Sequence, residues 1–202
     1  MTETHSASLQ DTVRALKRGK PVVFPTDTLF GLGVSVCDAA SPDILYAIKQ
    51  REKRKPIAWL VGSVDDLTTY GKCIPPFALA LARTFWPGPL TIIVRASDKV
   101  PLSFRSEAGT IGMRMPANAT AHKLITALGC PIATTSANLS GEKNALSFDD
   151  LDSQVLDQVA CALRDEEPKS GIASTIVDCS SGDHPVLIRE GAITIADIQA
   201  LS

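Results

Sequence analysis

The sequence predicts an α/β (α+β) fold, a single domain in which helices pack on one twisted sheet of mixed parallel and antiparallel strands. Three observations carry this. Short apolar runs bounded by Gly, Pro, Asn or Asp alternate with stretches of helical periodicity. The alternation is not strict, because the last third offers several strand runs with one helix between them, which argues against a regular doubly wound sheet. The 202 residues, 45% hydrophobic and 21% charged, suit one core, with no internal repeat, low-complexity stretch or evident linker. The domain is expected to span residues 1–202, its core beginning near residue 9 and residues 1–7 forming a flexible lead.

Leu9, Val13 and Leu16 recur at helical spacing, and Gly19 closes that helix before the strand run Val22-Val23-Phe24. PTDTLFGLG (25–33) reads as a loop. Ser41-Pro42-Asp43 offers a cap, a proline for the first turn and an early acid, so a helix is expected from there to about Gln50. Residues 57–61 read as a strand, 65–70 and 76–85 as helices, 90–94 and 110–114 as strands. Asn118 caps an expected helix over 119–128 that Gly129 ends, and 131–134 is a strand entering the loop SANLSG. Ser147 with Asp150 resembles a capping box for a helix to about Val159. Strands are expected at 160–163, 174–178 and 186–189, and Thr194 caps a last helix.

The net charge is −2, so contact with nucleic acid would have to use a local patch, and one exists: Lys49 to Lys55 reads KQREKRK, five basic residues in seven. It sits where the dipole of the preceding helix also favours cations, and points to an anionic ligand. The cysteines Cys37, Cys73, Cys130, Cys161 and Cys179 are odd in number and widely spaced, and read as reduced, mostly core residues. The polar start lacks the features of a signal peptide, and no apolar run approaches the roughly 18 residues a membrane span needs. A cytoplasmic location without membrane contact is therefore expected.

Four polar segments interrupt strand ends: Pro25-Thr26-Asp27-Thr28, Lys49-Gln50-Arg51, Thr135-Ser136-Ala137-Asn138 and Ser174-Thr175. Such positions, near glycines that admit a ligand to the backbone, are where open sheets build sites. Singly, hydroxyl-rich turns mostly serve turns and caps. His5, His122 and His184 lie outside these segments, so catalysis is expected from placement and charge neutralisation and not from an imidazole base.

The ordered set PTDTLFGLG, KxR, WPGPLT, GMRMP, SAN, STIVD and LIREG resembles the YrdC-like threonylcarbamoyl-adenylate synthases, over about residue 9 to the C-terminus. The resemblance implies a short, single-domain member with a YrdC/RibB-like fold around a concave basic cavity. The implied reaction takes L-threonine, bicarbonate and ATP to threonylcarbamoyl-AMP and pyrophosphate. A threonylcarbamoyl-transferase complex downstream would then modify tRNAs reading ANN codons. Lys49 and Arg51 take the catalytic places. ATP falls to Lys49, Arg51, Thr110, Ser136, Asn138, Asn144 and Arg189, with Asn138 alternatively holding its loop in shape. Threonine falls to Thr26, Arg114, Thr134 and Ser174. No metal ligand is implied in the protein, and Mg²⁺ arrives through the ATP phosphates; Asp27 reads as a turn former or a water-mediated Mg²⁺ partner.

The chain departs from the family pattern at Glu52, Leu60 and Ala173. Lys53, Arg54 and Lys55 could be solvated, clamp ATP or bind RNA, so a double-stranded RNA or tRNA-binding module, and an inactive paralogue of the same fold, stand as alternatives.

Overall fold

A computed structural model describes residues 6–50 and 57–200. In chain order the elements are β1 (Ser6–Ala7), α1 (Leu9–Leu16), β2 (Val22–Pro25), β3 (Phe30–Ser35), α2 (Asp43–Lys49), β4 (Ala58–Leu60), α3 (Asp66–Tyr70), α4 (Pro76–Phe85), β5 (Leu90–Arg95), β6 (Thr110–Arg114), α5 (Ala119–Leu128), β7 (Ile132–Ser136), α6 (Ser153–Leu156), β8 (Cys161–Leu163), β9 (Thr175–Asp178), β10 (Val186–Arg189) and α7 (Ile195–Gln199). The strands form one ten-stranded sheet in the order β1-β8-β2-β3-β7-β4-β6-β5-β9-β10. β8 runs parallel to β1 and β2, β4 to β6 and β5 to β9, while the other neighbours are antiparallel, which is the expected mixed sheet.

The register sorts the side chains into two faces. One cross-strand row runs Val34, Ala133, Trp59, Met113, Ile92, Val177, all buried to 1% exposure or less. Trp59 adds edge-to-face contacts with Tyr70 and Phe104. The next row, one residue along each strand, runs Gly33, Thr134, Ala58, Gly112, Ile93. It puts small or polar groups on the other face, together with Ser136, Thr110 and Arg114 at their strand ends.

Local chemistry explains most boundaries. Asn118 accepts from the Ala121 N–H at 2.8 Å to start α5, and Gly129 ends it with φ +72. Pro76 opens α4 where an N–H has no helical partner.

Four expectations are corrected. The PTDTLFGLG segment is not all loop, since Phe30–Ser35 is a central strand. Its glycines leave room for neighbours: a Cβ at Gly33 would meet Ile132 Cγ2 at 2.6 Å and Phe24 Cε1 at 2.9 Å. The helix expected from Ser147 is instead a 3₁₀ turn (Phe148–Asp150) followed by the four-residue α6, although Asp150 does accept from the Ser147 N–H at 2.7 Å. Ser6 and Ala7 are no loose lead, because they pair with Ala162 and Leu163. Finally, Cys37 and Cys130 form a disulfide, with Cα atoms 6.4 Å apart and 93 residues between them. Ser35 pairs with Ile132, so two further steps along the antiparallel ladder bring residues 37 and 130 face to face. Of the remaining cysteines only Cys179 is buried.

Candidate active site

The turn after β2 is folded by Thr26. Its hydroxyl donates to the Leu29 carbonyl at 2.6 Å and accepts from the Thr28 and Leu29 N–H groups at 3.3 and 3.2 Å, so it is committed to the turn. The turn holds Asp27 and Thr28 against Arg114, at the end of β6. Arg114 Nη2 donates to Asp27 Oδ1 at 2.6 Å, Nη1 to Thr28 Oγ1 at 3.0 Å, and Nε to the Gly88 carbonyl at 3.0 Å. Beyond its place in the turn, Asp27 pairs with a buried arginine. Three strands separate β2 from β6, a span of about 19 Å across a flat sheet. The Asp27–Arg114 contact therefore brings the turn after β2 over the sheet face to β6.

Burial pushes the Arg114 guanidinium below its ordinary value and the Asp27 carboxylate opposes that shift. An arginine this basic stays charged regardless.

A second group forms around Lys49, which is 3% exposed at the end of α2. Its ammonium donates to the carbonyls of Ser136 and Asn138 at 2.6 and 2.5 Å, and lies 3.1 Å from Ser136 Oγ and 3.0 Å from Asn138 Oδ1. Ser136 Oγ donates to Asn138 Oδ1 at 2.6 Å, and Asn138 Nδ2 to the Glu142 carbonyl at 2.6 Å. Asn138 therefore does hold its loop in shape. Beside that loop lies a cavity of about 270 Å³ lined by Ala137, Asn138, Leu139, Glu142, Lys143, Asp150 and Asp152. Asn144 is exposed in the same loop.

The third group is Ser174, 7% exposed. Its hydroxyl lies 3.0 Å from Thr91 Oγ1, and Arg189 donates to its carbonyl through Nη2 at 2.7 Å and Nε at 3.2 Å. The Thr175 N–H donates to the Pro89 carbonyl at 2.9 Å, next to the Gly88 carbonyl that holds Arg114, so the WPGP turn joins this group to the first. Thr134 is half-buried on the same face as Gly33 and Gly112, its hydroxyl donating to the Ile132 carbonyl at 3.0 Å. The Thr110 hydroxyl meets Ser106 Oγ at 2.7 Å. Arg51, Glu52 and the cluster Lys53 to Lys55 lie outside the described residues.

Sequence reasoning passed over Thr28, the Gly88 carbonyl and the segment between β8 and β9. The Ser170 N–H donates to the Asp27 carbonyl and the Gly171 N–H to the Thr28 carbonyl, each at 3.0 Å. Lys169 anchors the same segment on Asp165 at 2.5 Å, over the Phe30 ring. Backbone contacts leave no residue-type signature.

The chain is similar to known proteins over most of its length. The Sua5/YciO/YrdC family model, described as telomere recombination, matches residues 14–191. The threonylcarbamoyl-AMP synthase of Pyrococcus abyssi is 34% identical over 91% of this chain and 54% of its own length. That of Vibrio parahaemolyticus is 30% identical over 91% of this chain and 99% of its own. The crystal structure of P. abyssi Sua5 complexed with L-threonine superposes with a TM-score of 0.86 at 32% identity, over 96% of this chain and 56% of that one. The chain thus spans about half of the archaeal relative and nearly all of the Vibrio one. Matched by the family model over most of its length and by relatives at 30% identity or more, the chain belongs to the Sua5/YciO/YrdC family.

Proposed function

We propose that the protein is an L-threonylcarbamoyladenylate synthase, a nucleotidyltransferase acting on L-threonine, bicarbonate and ATP. The observation that carries this reading is the meeting of Arg114 with the Asp27-Thr28 turn and, through Gly88 and Pro89, with Ser174. A buried guanidinium with hydroxyls nearby suits a small hydroxylated amino acid. The relative from P. abyssi, similar over 96% of this chain, was crystallised with L-threonine.

In this reading Arg114 takes the threonine carboxylate, while Ser174, Thr134 and the Thr26 turn face the amine and hydroxyl. The neutral amine adds to bicarbonate, losing water, and a carbamate oxygen then attacks the α-phosphorus and displaces pyrophosphate. Lys49 with Ser136 and Asn138 forms the wall along the nucleotide, and Arg51 and Arg189 serve the phosphates, with Thr110 and Asn144 toward the nucleoside. The carboxylates of Glu142, Asp150 and Asp152 rim the cavity by the SAN loop, which disfavours phosphate there and leaves the phosphates to the Lys49 side. Mg²⁺ enters as part of the ATP substrate and lowers the charge that the phosphates present. The rate gain comes from holding three reactants in one place, with cations where charge develops. Transfer to tRNA belongs to a separate downstream complex.

Among the described residues no helix is long and apolar enough to cross a membrane, consistent with soluble substrates. The test is pyrophosphate release by the purified protein with ATP, threonine and bicarbonate. Release is expected only with all three present; binding of double-stranded RNA without such release would replace the enzyme by a binding module.

A further inference from the structure

Arginine carries five N–H donors. Three of those on Arg114 are bonded to Gly88, Thr28 and Asp27, which leaves one on each terminal nitrogen without a partner among the described residues. Two such donors are the number a carboxylate takes. The pair is well enclosed, with side-chain exposures of 8% for Arg114 and 14% for Asp27, so water screens their charges weakly. The backbone that carries Asp27 is held in place, because its own carbonyl accepts from Ser170 and the neighbouring Thr28 carbonyl accepts from Gly171.

We propose that Asp27 is a specificity-determining residue: by balancing Arg114 it leaves that ion pair without net charge, so that the pair accepts an amino-acid zwitterion and disfavours simple carboxylate anions. The inference rests on the threonine-site reading above. An unbalanced buried guanidinium would attract any small anion. With Asp27 beside it, a bare carboxylate meets repulsion that offsets its attraction to Arg114. A zwitterion brings its own ammonium, which the Asp27 carboxylate attracts, so the two opposite charges of ligand and pocket match.

The experiment compares the KM for L-threonine with the inhibition constant of (R)-3-hydroxybutyrate, which is threonine without its amino group, in wild type, Asp27→Ala and Asp27→Asn. Asp27→Asn keeps the shape and a hydrogen-bond acceptor for Nη2 while removing the charge. In wild type the ratio of inhibition constant to KM is expected to be large. Both variants should lower it by on the order of tenfold or more, through a weaker grip on threonine and a tighter one on the anion, with the KM for ATP within about twofold. If Asp27→Ala fails to fold, Asp27→Asn decides. A folded Asp27→Asn with a wild-type ratio, or with the KM for ATP rising in parallel with that for threonine, would overturn the proposal. Absence of threonine-dependent pyrophosphate release in wild type would instead overturn the enzyme reading on which it stands.

Discussion

Lys49 and Arg114 are both buried cations, at 3% and 6% exposure, and the contacts described for them differ. The Lys49 ammonium is surrounded by oxygens of Ser136 and Asn138. Arg114 instead meets a carboxylate at 2.6 Å. In the proposed reading the Lys49 group serves a polyanionic triphosphate, whereas the Arg114–Asp27 ion pair suits an amino acid that carries both signs. On that reading, one face of the sheet presents two ligands through two differently held cations.

Substitution of each cation in turn is the strongest way to break this contrast. Arg114→Ala should lower threonine-dependent turnover by roughly a thousandfold, mainly through threonine, leaving the KM for ATP within a few-fold. Lys49→Ala should cost on the order of a hundredfold or more and act on ATP. Steady-state kinetics on both substrates decides; parallel changes in both KM values would dissolve the distinction. A smaller effect sharpens it from outside. The Cys37–Cys130 link closes 93 residues at the end of the β3–β7 ladder opposite Ser136. Cys37→Ser should lower the unfolding free energy by up to roughly 4 kcal/mol in denaturant titrations, with the KM for ATP unchanged.

The smallest effect is expected at Ser147, whose hydrogen bonds hold the Asp150 carboxyl below the usual carboxylate range. Ser147→Ala should lower Tm by roughly 2 °C and raise the KM for ATP slightly, leaving that for threonine alone. Because the folded pKa of Asp150 is the lower one, its contribution to stability is present above the unfolded carboxylate value and is lost as pH falls through the folded value. The difference between variant and wild type should shrink accordingly on acidification, measured by thermal melts at stepped pH.

Elements with strong punctuation could be read from the sequence to the residue. The structure bounds α4 at 76–85, β6 at 110–114, α5 at 119–128 and β10 at 186–189 as expected, since Pro76, Asn118 and Gly129 act within a few residues. β3 was hidden because its two glycines have low strand propensity, and what keeps them in a strand is Phe24 and Ile132 from neighbouring strands. β1 is two residues long and exists through β8 alone. The disulfide was invisible for the same reason, as only the β3–β7 register brings its cysteines together. Of the proposed site, the family motifs name Arg114, Ser136, Asn138 and Ser174, whereas the partnership of Asp27 with Arg114 comes from the turn after β2 packing against β6.

The two-faced register has a consequence for how the molecule tolerates change. Packing residues and polar residues alternate along the same short strands, Met113 beside Arg114 and Ala133 beside Thr134. Gain or loss of a single residue within β6 or β7 would turn the interior outward and send the arginine into the apolar layer. Changes of chain length are therefore expected to be tolerated in the connections and not in these strands.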